Sequence, residues 1–188
     1  VHSLDCEFER VVRERGYAPD AGSCRPMAQF VMPEPFPAIA VPEGFHVRSA
    51  ADNNDLVRID RALWRGFDHP GEPPADSVDG RRRMQSGPNY RRDLTIYVEA
   101  PNGDFVAFAG LWFDPVNKLA YVEPVATDPD YRRMGLGTAA VLEGIRRCAA
   151  LGARVAYVGS DQVFYQAMGF RVLHALNCWQ RRWPPVAG

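Results

Sequence analysis

Apolar residues recur with two different spacings along most of the chain. Where they fall three and four residues apart, as at Leu56, Ile59 and Leu63, they predict a helix, and where they alternate they predict a strand. The predicted helices are Asp52–Phe67, Asp76–Gln85, a segment that follows Gly137, and Gln162–Ala167. The predicted strands are Gly44–Arg48, Leu94–Val98, Phe105–Phe113, Leu119–Thr127, Arg154–Val158, Phe170–Leu176 and Asn177–Trp183. This order predicts an α+β fold, a mixed α/β layer with helices packed against one twisted sheet.

The residues before this domain have a pattern of their own. Apolar residues at Phe8 and Val11 predict the end of a helix, which Gly16 stops, and Met27–Met32 is predicted to be a short closing strand. Four prolines then predict a stiff, extended linker over residues 33–43. We therefore divide the chain into an N-terminal extension (1–32), the linker (33–43) and a main domain (44–188).

The composition is that of an ordinary globular chain, with 188 residues of which 46% are hydrophobic and 24% charged. The formal net charge is −1, so the chain lacks the basic surface that nucleic acids and anionic membranes attract. No apolar run approaches the roughly 20 residues of a membrane span. We expect a cytoplasmic protein without nucleic-acid or membrane partners. Because the chain begins at Val1 and not at methionine, we also expect its natural N-terminus to be missing.

Cysteine usage gives no sign of a metal site or a disulfide framework. Cys6, Cys24, Cys148 and Cys178 are far apart, and none forms a Cys-x-x-Cys pair. We expect reduced thiols and no metal, with Cys148 in the core because it lies on the apolar stripe of a helix.

One stretch, Val122–Ala150, carries most of the chemistry. An apolar strand leads through a turn at 127–130 into Arg132-x-x-Gly135-x-Gly137, and a helical pattern follows at once. Two glycines at a strand-to-helix junction allow the backbone amides to point at one place, where the helix N-terminus adds partial positive charge. The stretch therefore predicts an anion site. On the far side of this helix, Glu143 and Arg147 predict a solvated face.

Two familiar phosphate-binding loops are excluded by the same residues. A dinucleotide fingerprint needs a third glycine, which is missing after Gly137, and no lysine followed by serine or threonine marks a nucleoside triphosphatase. The segment instead resembles motif A of the GNAT superfamily of acetyl-CoA-dependent N-acyltransferases, Arg/Gln-x-x-Gly-x-Gly/Ala, preceded here by Asp128-Pro129-Asp130-Tyr131. Tyr165-x-x-x-Gly169-Phe170 is similar to the downstream motif of that family, and the resemblance covers Gly44–Trp183.

The resemblance implies a central, mostly antiparallel sheet of about seven strands with helices on both faces. It implies an N-acetyltransferase that moves an acetyl group from acetyl-CoA to a primary amine by direct attack in a ternary complex. The alternative is a non-catalytic acyl-CoA-binding or sensing module of a tandem GNAT protein; a domain that only mediates interactions fits the intact loop less well. In the same way, residues 1–32 are either the tail of an upstream GNAT-like half or an ordinary helical extension.

The motif positions imply which residues contact acetyl-CoA, the acyl donor. The resemblance implies that main-chain groups of Val125, Ala126 and Thr127 pair with the pantetheine amides like an added strand. It implies further that either Arg132 or Arg133 lies near a phosphate of the nucleotide. The amides expected to hold the pyrophosphate are those of Arg133, Met134, Gly135, Leu136, Gly137 and Thr138.

Two residues are candidates for proton transfer. Glu123 interrupts an apolar strand, and a buried carboxylate has a raised pKa that suits a general base; alternatively it faces solvent or pairs with an arginine. Pro124 removes a ladder donor just after it. The resemblance places the Tyr165 hydroxyl near the thioester sulfur, where it protonates the departing thiolate; alternatively the ring packs in the core with Phe164 and Phe170.

The acceptor is predicted only as an amine, either a small molecule or a peptide. Aromatic residues on the elements that line the acceptor side in such folds are the candidate contacts: Trp64, Phe67, Tyr90, Trp112 and Phe113. For assembly, a homodimer and pairing with an upstream GNAT half both remain open.

Overall fold

A computed structural model describes residues 4–20 and 22–183. Its five helices are α1 (Cys6–Glu14), α2 (Leu56–Gly66), α3 (Val78–Gln85), α4 (Leu136–Ala150) and α5 (Val163–Ala167). Its nine strands are β1 (Ala18–Pro19), β2 (Arg25–Val31), β3 (His46–Ser49), β4 (Thr95–Glu99), β5 (Phe105–Asp114), β6 (Leu119–Thr127), β7 (Val155–Val158), β8 (Arg171–Leu176) and β9 (Trp179–Gln180). The chain divides into two compact units, Val31–Tyr157 and a second unit formed by Val1–Phe30 with Val158–Gly188.

The larger unit contains five neighbouring strands in the order β3-β4-β5-β6-β7. The first four pair antiparallel, and β6 pairs parallel with β7. Strand β5 lies in the centre and is buried from Phe105 to Leu111, which agrees with its unbroken apolar sequence. The mixed α/β fold with about seven mostly antiparallel strands is confirmed, since β2 and β8 add two strands in the other unit.

Helices α2 and α4 cover opposite faces of β5. Phe108 packs in one core cluster with Ile59 and Leu63 of α2, whereas Leu111 lies against Gly144 of α4. Because side chains alternate along a strand, residues an odd number apart point to opposite faces. The predicted arrangement of helices on both faces of the sheet is therefore present in this unit.

The start of α2 shows how the sequence sets the position of the helix. Asp55 caps it by accepting hydrogen bonds from the N–H groups of Val57 and Arg58. The end of α2 fits closely against β6, because a Cβ added at Gly66 would lie 2.6 Å from Ala126 Cβ and 2.9 Å from the Thr127 nitrogen. A glycine at this position brings α2 into contact with the end of the strand that leads to the candidate site.

Helix α4 differs from the prediction on one side. Cys148 is fully buried, as expected, and burial raises the pKa of its thiol to about 12. Glu143, which was expected on a solvated face, is 8% exposed and accepts hydrogen bonds from Arg146 and Arg147. That expectation was wrong because the Arg146 and Arg147 side chains cover the carboxylate, and Arg147 also donates to the Asp93 carbonyl at 3.0 Å.

The smaller unit is built from both ends of the chain. Strand β2 pairs antiparallel with β8, and β1 pairs with β9. Helix α1 joins them through Arg13, whose guanidinium lies 4.6 Å from the centre of the Trp179 ring. The predicted limits at 32 and 43 follow the linker, whereas the compact units group the N-terminal segment with the C-terminal strands. Residues 184–188 of the predicted main domain lie outside the described residues.

Two findings hold for residues 4–20 and 22–183. Each helix there is too short or too polar to cross a bilayer. Within the same residues, histidine, cysteine and acidic side chains do not gather into a group of three or more that could hold a metal ion.

Candidate functional site

A bulge in β6 shifts its pairing register with β5 at the point where the candidate residues begin. Ala109 pairs with Val125 and Leu111 pairs with Val122, so two steps along β5 correspond to three steps along β6. Gly110 faces the bulge, and a Cβ there would lie 2.7 Å from the Glu123 carbonyl oxygen. The close approach of two backbones requires glycine at position 110.

Among residues 4–20 and 22–183, no strand pairs with the other edge of β6 beyond the bulge. Parallel pairing with β7 covers 119–121 and stops at Tyr121. The N–H of Asp128 donates to the Val106 carbonyl on β5 at 2.9 Å, so by alternation Ala126 also directs its main-chain groups to β5. Val125 and Thr127 direct theirs to the open edge. Of the three residues predicted to pair with pantetheine amides, these two have the required main-chain orientation, and the Thr127 carbonyl also accepts a hydrogen bond from Arg132 Nε at 3.2 Å.

Two arginines that cross in opposite directions hold the loop after β6 to the end of α2. Arg65 of α2 forms hydrogen bonds to Asp128, which is 2% exposed, and to Asp130 at 2.6 Å. Arg132 of the loop donates to the Gly66 carbonyl at 3.1 Å and to Asp68 at 2.8 Å. Burial acts to raise the pKa of Asp128, but the hydrogen bonds from Arg65 and from the Asp130 N–H outweigh it, and the pKa lies below its usual value.

This anchoring distinguishes the surroundings of the two arginines predicted near a phosphate. The Arg132 guanidinium is engaged with α2 and with the Thr127 carbonyl at 3.2 Å, so it acts on the protein itself. Arg133 is exposed and has a φ of 66°, in the left-handed region that side chains other than glycine adopt at a cost. It is the arginine that remains for an anion at this loop.

Gly135 begins α4 without a side-chain cap. Its φ is 79°, and with no side chain it leaves the N–H groups of the first turn without a capping acceptor. Those N–H groups belong to Leu136, Gly137 and Thr138. The end of β6 and the start of α4 therefore place a strand edge directly before a helix N-terminus with partial positive charge, all within one unit.

A pocket lies on the other side of the bulge. It is shallow and open to solvent, and it is bordered by Met84, Tyr90, Gly110, Trp112, Glu123 and Pro124. The rings of Tyr90 and Trp112 meet nearly edge to face, with centroids 6.5 Å apart. The Trp112 indole N–H donates to the Glu123 carbonyl at 3.2 Å, which ties the pocket wall to the bulge.

Glu123 is exposed at this pocket, so the expectation of a buried carboxylate was wrong. The apolar neighbours of Glu123 in the sequence suggested burial, but the bulge breaks the alternation of the strand at this residue. Glu123 borders the pocket, but it lacks the burial from which its role as a general base was inferred.

The remaining predicted acceptor residues lie away from the pocket. Trp64 donates its indole N–H to the Pro70 carbonyl and lies 4.4 Å from His69, measured between ring centroids. Phe67 is half exposed where α2 ends, and Phe113 follows Trp112 on β5 and so points to the other face. Of the five predicted acceptor residues, only Tyr90 and Trp112 border the pocket.

Tyr165 belongs to the smaller unit. It lies on α5 with 8% exposure, and its ring meets Phe164 and Phe170 edge to face at centroid distances of 4.9 and 5.7 Å. The core packing considered for this ring is therefore present, and its proposed role in proton transfer stays a prediction.

Comparison with known proteins places the chain in a family. The sequence profile of the acetyltransferase (GNAT) family matches residues 54–170, which is more than half of the chain. The chain belongs to the acetyltransferase (GNAT) family. The match includes the loop at Arg132–Gly137 and ends at Phe170. No curated protein sequence matches the chain significantly.

Solved GNAT structures have the same fold at low sequence identity. A GCN5-related N-acetyltransferase from Sphaerobacter thermophilus matches 93% of this chain with a TM-score of 0.69 and 17% identity. A tandem GNAT protein from the clavulanic acid biosynthesis pathway matches 93%, with a TM-score of 0.68 and 12% identity. The match spans only 56% and 58% of those two chains. The ribosomal-protein-S18-alanine N-acetyltransferase of Escherichia coli matches 77% of this chain and 99% of its own, with a TM-score of 0.51 and 17% identity.

Replacing Asp128 by asparagine tests the anchoring of the loop. At pH 7 we expect the free energy of unfolding to fall by about 1–3 kcal/mol, because a buried charge-assisted hydrogen bond is lost. The lowered pKa of Asp128 means that its charge stabilises the fold above about pH 4 and that this stabilisation is lost as pH falls through the folded-state pKa. The difference in urea-unfolding free energy between the two proteins should therefore shrink on acidification.

Asp130→Asn is the matched control. Asp130 binds the same arginine but its side chain is 75% exposed, so we expect a loss below about 1 kcal/mol. Equal losses for the two variants, or a loss for Asp128→Asn that does not change with pH, would contradict the anchoring role.

Proposed function

We propose that this GNAT protein transfers an acetyl group from acetyl-CoA to a primary amine by direct attack in a ternary complex. The proposal depends on one observation above all, the open edge of β6 at Val125 and Thr127 followed directly by the uncapped first turn of α4. An extended chain of amides fits the edge, and a pyrophosphate fits the turn. Pantetheine and the coenzyme A pyrophosphate have these two chemistries in this order.

The fit of the donor can be argued residue by residue. Main-chain groups of Val125 and Thr127 would hydrogen-bond the pantetheine amides, and the amides of Gly137 and Thr138 would hold the pyrophosphate. Arg133 would add a positive charge near the phosphates, because Arg132 is committed to Gly66 and Asp68. Acetyl-CoA supplies an activated thioester. The amine nitrogen attacks its carbonyl carbon, so a carbon–nitrogen bond forms while the carbon–sulfur bond breaks and coenzyme A leaves as the thiolate.

Proton transfer completes the reaction. The amine must lose a proton, and we assign its acceptance to Glu123 or to a water bound to Glu123, because this carboxylate borders the pocket beside the bulge. The departing thiolate must gain a proton, and we assign its donation to Tyr165 on the strength of the Tyr-x-x-x-Gly-Phe match. The products are then an N-acetylated amine and coenzyme A.

The second candidate is a module that binds acyl-CoA without catalysis. The exposure of Glu123 favours it, since burial would have made this carboxylate a stronger base. Both candidates require a working donor site, and only the enzyme releases free thiol when amines are added. The cytoplasmic location, and assembly as a homodimer or with an upstream half, remain predictions.

Calorimetric titration with acetyl-CoA tests the donor site. We expect saturable binding with a dissociation constant in the micromolar range. Gly137→Asp should abolish binding, because the aspartate places bulk and negative charge where the pyrophosphate is expected. Gly80→Asn, on α3 where an added Cβ meets nothing within 4 Å, is the control and should bind normally. No binding by the unaltered protein would end both the enzyme and the sensor proposals.

Tyr165→Phe separates the chemical step from donor binding. We expect turnover to fall by about 100-fold, since a proton donor is lost, while acetyl-CoA affinity stays within about twofold. Turnover is measured as free thiol released in the presence of a primary amine, and Tyr17→Phe, at an exposed tyrosine, is the control. Unchanged turnover would remove Tyr165 from the mechanism.

A further inference from the structure

The polar atoms of the aromatic pocket walls are already used within the protein. The Trp112 indole N–H donates to the Glu123 carbonyl, and the Tyr90 hydroxyl lies 3.0 Å from Thr95 Oγ1, in a hydrogen bond. Burial raises the pKa of Tyr90 against smaller opposing effects from the Thr95 hydrogen bond and the Arg92 charge, so its hydroxyl stays neutral near pH 7. What these residues present to the pocket is therefore the apolar surface of their rings.

The rest of the lining is apolar apart from the Thr95 hydroxyl, whose hydrogen bonds are with Tyr90 and the Arg91 carbonyl, and one charged group. Met84, Phe108 and Leu111 add aliphatic and aromatic surface. Among the described residues that line the pocket, Glu123 alone carries a formal charge, and no described residue forms an ion pair or hydrogen bond with its carboxylate. The positive charge of Arg92 acts to lower the pKa of Tyr90, but Arg92 does not line the pocket.

We propose that the acceptor is a primary amine on an apolar, uncharged body, with its ammonium group drawn to Glu123 and its body lying against the surfaces of Tyr90, Trp112 and Met84 at this shallow pocket. This inference rests on the proposed acetyl transfer and adds the class of acceptor. An ammonium group gains both from the carboxylate and from the faces of the aromatic rings. A carboxylate or phosphate on the acceptor would lie near Glu123 without a basic partner, and like charges placed together oppose binding. A body rich in hydroxyl groups would lose hydrogen bonds to water that the apolar lining does not replace.

Three amines compared with saturating acetyl-CoA test this inference. The probes are 2-phenylethylamine, phenylalanine, which has the same skeleton with a carboxylate added, and glucosamine, which is polyhydroxylated. We expect kcat/KM for 2-phenylethylamine to exceed that for each of the others by about 30-fold or more. Calorimetric titration of the same amines into protein saturated with coenzyme A gives a second readout that needs no turnover, and it should show the same order of affinity.

Variants of the pocket residues test whether the preference for 2-phenylethylamine arises at this pocket. Glu123→Gln should lower the affinity for 2-phenylethylamine about 10-fold and reduce its advantage over phenylalanine, while acetyl-CoA affinity stays unchanged. Trp112→Phe, which keeps a ring but loses the hydrogen bond to the bulge, should raise the KM for this amine about threefold or more. Glu72→Gln, at an exposed acid that pairs with Arg61, is the control and should behave like the unaltered protein.

The failures of the two proposals are distinguishable. If phenylalanine or glucosamine is acetylated as well as 2-phenylethylamine, or binds as tightly, the class of acceptor is wrong and acetyl transfer stands. If acetyl-CoA binds but no amine releases thiol, acetyl transfer fails, and the acceptor inference is overturned with it.

Discussion

The candidate site depends on how tightly the loop after β6 is fixed to α2. Arg65 reaches from the helix to the buried Asp128, and Arg132 reaches back from the loop to the carbonyl of Gly66. Gly66 also packs against the backbone of β6, so the helix cannot move away from the strand without breaking these contacts. With Asp128 and Arg132 held to α2, the loop can keep the left-handed conformations of Arg133 and Gly135 just before α4.

One irregularity in β6 gives the strand two functional sides. Beyond the bulge its free edge faces away from β5, and that edge leads into the loop that suits a pyrophosphate. At the bulge itself, Gly110 and Glu123 border a separate pocket with aromatic walls. We therefore assign donor and acceptor to neighbouring parts of a single strand. The proposed donor side uses main-chain groups, whereas the proposed acceptor side uses the side chains of Glu123, Tyr90 and Trp112.

Local patterns predicted the fold well, and long-range contacts limited what could be said of the site. Strand β6 was predicted with its observed limits, and the loop was found because its glycines and the helix that follows are adjacent in sequence. No local signal could pair Arg65 with Asp128, which lies 63 residues further along the chain. The exposure of Glu123 was missed because the alternation rule assumes an unbroken strand, and a bulge changes which side chains face outward.

The proposed reaction requires that the β6 edge and the first turn of α4 together hold coenzyme A. Backbone amide chemical shifts can be measured by NMR on labelled protein with and without coenzyme A. We expect the largest changes at Val125, Thr127, Gly137 and Thr138, with little change at Gly103 in the hairpin between β4 and β5. Binding whose largest shift changes fall elsewhere, with these four amides unmoved, would contradict it.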